Sequence, residues 1–191
     1  MTRLLDLPPE PWRNGGGVTR TVARGDEDAG GELWRVSAAE ITASGAFSRF
    51  PNMDRQAVLI AGGPLTLVVA CTPHTMAQVG DTVQFRGEAD SAVTLTGQPA
   101  RFWNVMTRRG RVSAEVNVLR HDQGPLTLHA SAASRHIVLV LAGACHQGES
   151  RGAAAQTREA GDLLVLATPG MSCRICFGSP DTLLLHTAIT L

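Results

Sequence analysis

The residues best suited to bind an anion lie in the stretch 11–20, Pro-Trp-Arg-Asn-Gly-Gly-Gly-Val-Thr-Arg. Its glycine triplet could present successive backbone amides to a carboxylate or phosphate, and Arg13 and Arg20 would add permanent positive charge. The alternative is structural, with glycines that let the loop turn tightly while Trp12 closes one end of a core. The two common phosphate loops are excluded, since no Gly-Lys-Ser/Thr follows and Arg20 stands where a dinucleotide fingerprint has its third glycine.

Two later segments gather polar side chains on one strand face. Period-two alternation puts Arg35 and Ser37 on one side of a strand, and Asn104, Met106 and Arg108 on one side of another. A buried guanidinium must be paired, and an incoming carboxylate would serve, in a bond worth about 1.5–3 kcal/mol. The alternative is that these arginines only hold the fold together.

In that alternative, Arg35, Arg55 and Arg108 pair with Asp54, Glu40 or backbone carbonyls. The aromatic side chains of the same segments have two interpretations as well, either as apolar walls of a pocket or as ordinary core packing. The sequence predicts a small-anion pocket formed by Trp12, Asn14, Gly15, Gly16, Gly17, Arg20, Arg35, Ser37, Phe47, Phe50, Arg55, Asn104, Met106 and Arg108.

Metal and nucleophile chemistry have little support in the sequence. No histidine has another two positions away, and a degenerate set of His146, Glu149 and His186 is possible but not required by its spacing. Cys173 and Cys176 have zinc-ribbon spacing but lack a second pair, and in a strand they would point to opposite faces. No Gly-x-Ser-x-Gly elbow is present. We therefore expect no catalytic residue, no metal and no other cofactor.

The remaining pattern indicates an all-β chain with little helix. Short apolar strands alternate with Gly, Pro, Asn and Asp residues typical of turns, a pattern expected of a sandwich or barrel. Only 130–134 and 153–155 suggest short helices, and both could instead be loop. An apolar strand that ends in Ala-Gly and a later Gly-Asp turn occur twice. We expect two antiparallel barrels, 1–109 and 110–191, packed as one compact unit with terminal strands exchanged between them.

The motif Trp12-Arg13-Asn14-Gly15-Gly16-Gly17-Val18-Thr19-Arg20 resembles the signature of the HutD/Ves family. Other segments match in the same order: Trp34-Arg35-Val36-Ser37, Gly45-Ala46-Phe47-Ser48-Arg49-Phe50-Pro51, Asp54-Arg55 and Asn104-Val105-Met106-Thr107-Arg108-Arg109. The resemblance implies a bacterial cupin-type double barrel (bicupin), often encoded with histidine-utilisation genes. It also implies a regulatory role, with no firm enzymatic activity established.

Charge and composition limit the kinds of binding partner that we expect. Basic and acidic residues balance at 17 each among 191 residues, which disfavours nucleic acid and acidic membranes, and prolines interrupt the only apolar N-terminal pair. We expect a cytoplasmic, non-catalytic protein that modulates histidine catabolism by binding a carboxylate such as N-formylglutamate or urocanate. Unpaired barrel edges would also allow a homodimer. The alternatives are a metal-independent isomerase or hydrolase, and an interaction module with a vestigial pocket. The sequence does not identify a regulatory partner.

Overall fold

The computed structural model describes residues 2–28, 31–148 and 155–191. By its internal contacts the chain forms two compact units. The central unit is Leu7–Val112, and the terminal unit combines Met1–Asp6 with Ser113–Leu191. The N-terminal residues therefore belong to the same unit as the C-terminal part of the chain.

The central unit contains two antiparallel sheets. The six-stranded sheet has the order β2-β3-β4-β11-β6-β9, and the four-stranded sheet has the order β5-β10-β7-β8. The strands, numbered in chain order, are β2 (Glu10–Pro11), β3 (Gly17–Asp28), β4 (Gly31–Ile41), β5 (Gly45–Ala46), β6 (Met53–Ala61), β7 (Leu65–Val69), β8 (Thr72–Met76), β9 (Thr82–Arg86), β10 (Ser91–Leu95) and β11 (Ala100–Arg108).

The terminal unit is also built from two antiparallel sheets, with the orders β1-β17-β14-β19-β12 and β13-β18-β15-β16. Two single-turn 3₁₀ helices, Leu4–Asp6 and His121–Gln123, accompany them. The strands are β1 (Thr2–Arg3), β12 (Ser113–Arg120), β13 (Leu126–His129), β14 (Ser134–Ala142), β15 (Ala144–Gly148), β16 (Gln156–Glu159), β17 (Asp162–Leu166), β18 (Ser172–Phe177) and β19 (Leu183–Thr190).

Alternation along the strands builds one core in each unit. In the central unit, β7 has the burial pattern of a half-buried strand, and Leu65, Leu67 and Val69 pack with Leu59 and Phe102 of the larger sheet. In the terminal unit, the inward face is filled by aliphatic side chains and by the thiols of Cys145 and Cys173. Burial raises the pKa of Cys145 to about 11, so this thiol is an apolar core group at neutral pH.

The N-terminal segment closes an edge of the terminal unit. Thr2 and Arg3 pair with β17, and the amide of Leu4 donates to the Gly161 carbonyl at 2.8 Å. The Leu4 side chain is only 3% exposed. Pairing and burial together hold this segment against the sheet and cover an otherwise free edge of β17.

The predicted all-β, antiparallel architecture with little helix is confirmed. Of the two interpretations of 130–134, a short helix or a loop, the structure shows the loop, because Ser131 and Ser134 form an isolated bridge with a contact between their hydroxyls. Residues 153 and 154 of the second segment lie outside the described residues. Strands β8, β15 and β16 lack apolar alternation strong enough to be predicted. No helix in the described part of the chain is long and apolar enough to span a membrane.

Candidate functional site

The central unit contains a cavity of about 450 Å³ on the inner face of its six-stranded sheet. Its wall combines polar strand positions with aromatic side chains from the loops, which is the composition typical of small-molecule sites. Most of the sequence-predicted residues line this cavity, namely Trp12, Asn14, Arg35, Ser37, Phe47, Phe50, Arg55, Asn104 and Met106.

Strand register arranges the cavity floor in rows. Met106 of β11 lies opposite Arg35 of β4 on one side and Arg55 of β6 on the other. Two residues along, Asn104 lies between Ser37 and Ala57. Because side chains two residues apart share a strand face, the floor has a charged row beside an amide row.

A third row contains Phe102, between Ala39 and Leu59. All three side chains are buried, and they belong to the hydrophobic core of the unit. The floor therefore changes from charged to apolar along the strand direction, so that a ligand with one charged end and one apolar part would fit it in a single orientation.

Arg55 is the most deeply placed charge of the site. Only 7% of the residue is exposed, and its Nη atoms donate to the Ser48 carbonyl at 3.3 Å and to Asn104 Oδ1 at 3.4 Å. Both contacts are long for hydrogen bonds. Its Nε is buried without a hydrogen-bond partner among the described residues, so this guanidinium retains donor capacity.

Aromatic rings surround the same guanidinium. Its Cζ lies 4.9 Å, 5.3 Å and 5.6 Å from the ring centroids of Phe85, Phe50 and Phe47. Burial, and then the charge of Arg35, lower the pKa of Arg55 to about 10, so it remains protonated at neutral pH. Within residues 2–28, 31–148 and 155–191, no carboxylate forms an ion pair with Arg55. Ring faces compensate only part of a buried charge.

Arg35 is better compensated than Arg55. Its Nε lies 3.6 Å from Glu32 Oε2, and its Cζ lies 5.4 Å from the Phe50 centroid. One Nη contacts the Met106 sulfur at 4.0 Å. Its side chain is 23% exposed. Arg35 is therefore a partly solvated second cation beside the buried one.

The loop aromatics form one wall of the cavity. The Trp12 indole donates from Nε1 to Thr19 Oγ1 at 2.8 Å and meets the Phe47 ring edge-on, with centroids 5.7 Å apart. Asn14 Oδ1 accepts the Gly16 amide at 3.0 Å. These contacts fix Trp12 and the amide of Asn14 in place before any ligand binds.

The structure does not bring the glycines to the cavity wall. The amide of Gly15 donates to the Trp12 carbonyl at 3.0 Å, and that of Gly16 donates to Asn14, so both amides have acceptors inside the loop. Gly15 has φ +70°, and a Cβ on Gly17 would lie 2.2 Å from the Glu40 carbonyl oxygen. The observed contacts of the triplet are therefore those of a tight turn and a close strand approach.

Arg20 and Arg108 also lie away from the cavity lining. Arg20 follows Thr19, a lining residue, and so points to the opposite face of β3, where it lies 3.5 Å from Glu40. Arg108 lies at the end of β11 and donates to the Glu32 carbonyl at 3.1 Å. In both cases the guanidinium contacts an acceptor of the protein itself.

Several lining residues were absent from the predicted pocket, of which Glu10, Thr19 and Ser48 are polar. Arg13, which was considered only as a charge beside the glycine loop, also lines the cavity. In the structure a hairpin across the glycine loop pairs Glu10 with Thr19 and sets their side chains on one face. The strand Glu10–Pro11 has only two residues and gives no periodic signal, so the sequence could not assign Glu10 a direction.

The histidines of the terminal unit do not assemble the set considered from sequence. His186 contacts His136 at 3.1 Å, His146 contacts Thr157, and Glu149 lies outside the described residues. No group of three or more His, Cys, Asp or Glu side chains in the described ranges could hold a metal ion. The four cysteines, all within the described residues, form no disulfide.

Two all-β units in one chain, one with a ligand-sized polar cavity, define a double-barrel protein of the cupin type. The chain is similar to the cupin 2 conserved barrel domain protein from Leptotrichia buccalis, with a TM-score of 0.61 and 9% identity over 92% of this chain and 89% of that chain. At such low identity the likeness shows the fold alone, and it confirms the predicted cupin-type fold.

Closer relatives identify the family. The HutD family model matches residues 5–180. An uncharacterized 21.2 kDa protein in the hutC 3′ region of Pseudomonas putida is 32% identical over 151 residues, covering 75% of this chain and 78% of the relative. The chain belongs to the HutD family, as the signature motifs predicted, and this membership links it to histidine utilisation.

Two solved structures share the fold along nearly the whole chain. A conserved protein of unknown function from Pseudomonas aeruginosa PAO1 has a TM-score of 0.81 and 25% identity, over 99% of this chain and 97% of that chain. HutD from Pseudomonas fluorescens SBW25 has a TM-score of 0.78 and 23% identity, over 97% and 95%. Both cover the two units of this chain.

Proposed function

We propose that this chain binds a small carboxylate metabolite in the cavity of the central unit and acts without catalysis as a modulator of histidine catabolism. The observation that carries the proposal is the guanidinium of Arg55, which is buried and protonated and has no carboxylate partner among the described residues. Such a group is costly in the ligand-free protein, and an anion that enters the cavity supplies the missing charge.

The contacts of Arg55 suit reception of an anion rather than structural pairing. Asn104 and the Ser48 carbonyl hold its Nη atoms through long bonds, and aromatic rings exclude water around it. A carboxylate in this low-dielectric space would form shorter, charge-assisted bonds. The partly solvated Arg35 lies across Met106 and adds a second positive charge on the same side.

Family membership narrows the class of ligand. A protein linked to histidine utilisation meets carboxylate intermediates of that pathway, such as N-formylglutamate or urocanate. A binder of this kind modulates flux in the cytoplasm either by sequestering the intermediate or through a protein partner that senses the occupied state. Sequestration requires only that the acid binds in the cavity. The second route requires that the partner distinguish the ligand-bound protein from the ligand-free protein.

Thermal unfolding and calorimetry with N-formylglutamate, urocanate, histidine and glutamate test binding. A ligand at about 100 times its dissociation constant adds about 2.7 kcal/mol to the free energy of unfolding, which shifts the midpoint measurably. Arg55→Met removes the charge at similar volume and should abolish this shift, whereas Arg174→Gln, at an exposed arginine of the terminal unit, should retain it. An equal response from the Arg55 variant would overturn the site.

The non-catalytic part of the proposal has its own test. NMR spectra of each acid incubated with the wild-type protein should stay unchanged over hours. New resonances that depend on active, folded protein and disappear in Arg55→Met would instead favour a metal-independent enzyme acting on the same acids.

A further inference from the structure

A continuous line of polar side chains crosses the cavity floor. It starts at Glu10 on β2, whose Oε1 accepts the Thr21 hydroxyl at 3.0 Å. Thr21 lies opposite Ser37, Ser37 lies opposite Asn104, and Asn104 contacts Arg55. The line therefore has a carboxylate at one end and a guanidinium at the other.

The carboxylate end is formed by the protein itself and is open to the cavity. Glu10 pairs with Thr19 across the glycine loop, so its side chain shares the inner face with a residue that lines the cavity. Thr21 engages Oε1 only, and a carboxylate accepts several hydrogen bonds. Glu10 is exposed, so its carboxylate is reachable from solvent at the opening of the cavity.

Because the line has a carboxylate at one end and a guanidinium at the other, we infer that the cavity selects acids with two complementary ends. Such a molecule has a carboxylate at one end and an N–H or ammonium group at the other. This inference rests on the proposed function, because it takes the carboxylate to lie at Arg55. The ligand carboxylate then faces the charged row, and its N–H or ammonium group donates to Glu10. Plain carboxylic acids of the same shape satisfy only one end of the line.

Arg13, the exposed charge at the opening of the cavity, is compatible with selection by Glu10. Arg13 also lines the cavity and is exposed, so its guanidinium attracts anions from solution without selecting between them. Selection requires a group that distinguishes two acids of equal charge. Glu10 is the only carboxylate among the lining residues that the structure describes.

A matched pair of probes tests the inference. Urocanate and cinnamate share the acrylate chain, but only urocanate has a ring N–H, and at about pH 7.5 its imidazole is mostly neutral. Calorimetry should show tighter binding of urocanate to wild-type protein. Glu10→Gln retains an acceptor for Thr21 but loses the charge, and it should lower the urocanate-to-cinnamate affinity ratio by about tenfold.

Two further variants make the outcomes distinguishable. Glu159→Gln, at an exposed glutamate of the terminal unit, should keep the wild-type ratio. Arg55→Met should lower the affinity for both acids by the same factor, so this variant tests the proposed carboxylate site independently of Glu10. Equal affinity of both acids for the wild type, or an unchanged ratio in Glu10→Gln, overturns selection by Glu10 while leaving the carboxylate site intact. Binding of neither acid overturns the selection by Glu10, and if N-formylglutamate, histidine and glutamate also fail to bind, the carboxylate site is overturned as well.

Discussion

Arg35 and Arg55 lie over the same ring, with their guanidinium carbons 5.4 Å and 5.3 Å from the centroid of Phe50. Two like charges in one aromatic space repel each other, and the charge of Arg35 contributes to the lowered pKa of Arg55. Only Arg35 has a carboxylate neighbour in the described structure. The site is therefore arranged at a cost to the ligand-free protein, as binding sites often are.

That cost predicts a trade between binding and stability. Arg55→Met replaces a buried, unpaired charge with an apolar side chain of similar volume, and we expect the free energy of unfolding of the ligand-free protein to stay level or rise by about 1–2 kcal/mol. Denaturant titration followed by tryptophan fluorescence measures this, because all three tryptophans, at positions 12, 34 and 103, lie in the central unit.

A loss of more than about 2 kcal/mol in that variant would assign Arg55 a structural role instead. Arg109→Met is the informative contrast. Arg109 forms ion pairs with Asp54 at 2.7 Å and with Glu88 at 2.8 Å, so its removal leaves two carboxylates without their partner. We expect this variant to be destabilised, although its exposed setting limits the loss.

The N-terminal segment should contribute measurably to the terminal unit. Leu4 is 3% exposed and Leu5 is 56% exposed, so the adjacent leucines form a matched pair. Leu4→Ala should lower the free energy of unfolding by about 3 kcal/mol, and Leu5→Ala by less than about 0.5 kcal/mol. Denaturant unfolding monitored by far-UV circular dichroism gives both values. Equal effects would show that Leu4 packs less tightly than its burial indicates.

The sequence predicted the direction of a side chain correctly where the alternation of apolar and polar residues along a strand determines it. Arg35, Ser37, Asn104 and Met106 all line the cavity, because each lies within a long strand whose apolar residues fix the opposite face. The Arg20 side chain was included for its charge beside the glycine loop, although the same alternation turns it away once Thr19 faces inward. Proximity along the sequence does not determine the direction of a side chain.

The strand position of Arg55 and the hydrogen bonds inside the glycine loop could not be predicted from the local sequence. Arg55 lies near the start of β6 (Met53–Ala61), between the polar residues Asp54 and Gln56, so its strand position was not predicted. Polar residues at a strand start give no periodic signal. The internal acceptors of the glycine loop depend on how Trp12 and Asn14 fold back on it, which required the structure.

The imidazole pair of the terminal unit predicts acid sensitivity. His136 Nε2 donates to the His129 carbonyl at 3.1 Å, and its Nδ1 faces His186 Nε2, also at 3.1 Å. Burial, and then the neighbouring His136, lower the pKa of His186 from 6.5 to about 4, against a small opposing effect of Glu115. Between these two values the unfolded chain binds more protons than the folded one.

Stability should therefore fall as the pH drops from about 6.5 towards 4, by up to about 3 kcal/mol from this group. His186→Gln should flatten that part of the profile, whereas His74→Gln, in the central unit, should not. Denaturant midpoints measured at several pH values between these limits provide the comparison. An identical slope in His186→Gln and wild type would show that other groups cause the acid loss.

The glycine triplet should prove sensitive at one position for a steric reason. A Cβ on Gly17 would lie 2.2 Å from the Glu40 carbonyl oxygen, and backbone at this distance cannot yield as a flexible side chain would. Gly17→Ala should therefore separate β3 from β4 and cost about 3 kcal/mol or more. Gly97→Ala, where a Cβ meets nothing within 4 Å, is the matched control and should be near neutral. Thermal midpoints, read by tryptophan fluorescence beside the altered loop, distinguish the two. A Gly17→Ala protein as stable as wild type would mean that the loop relaxes freely, and the amides of the triplet would then have to be reconsidered as ligand donors.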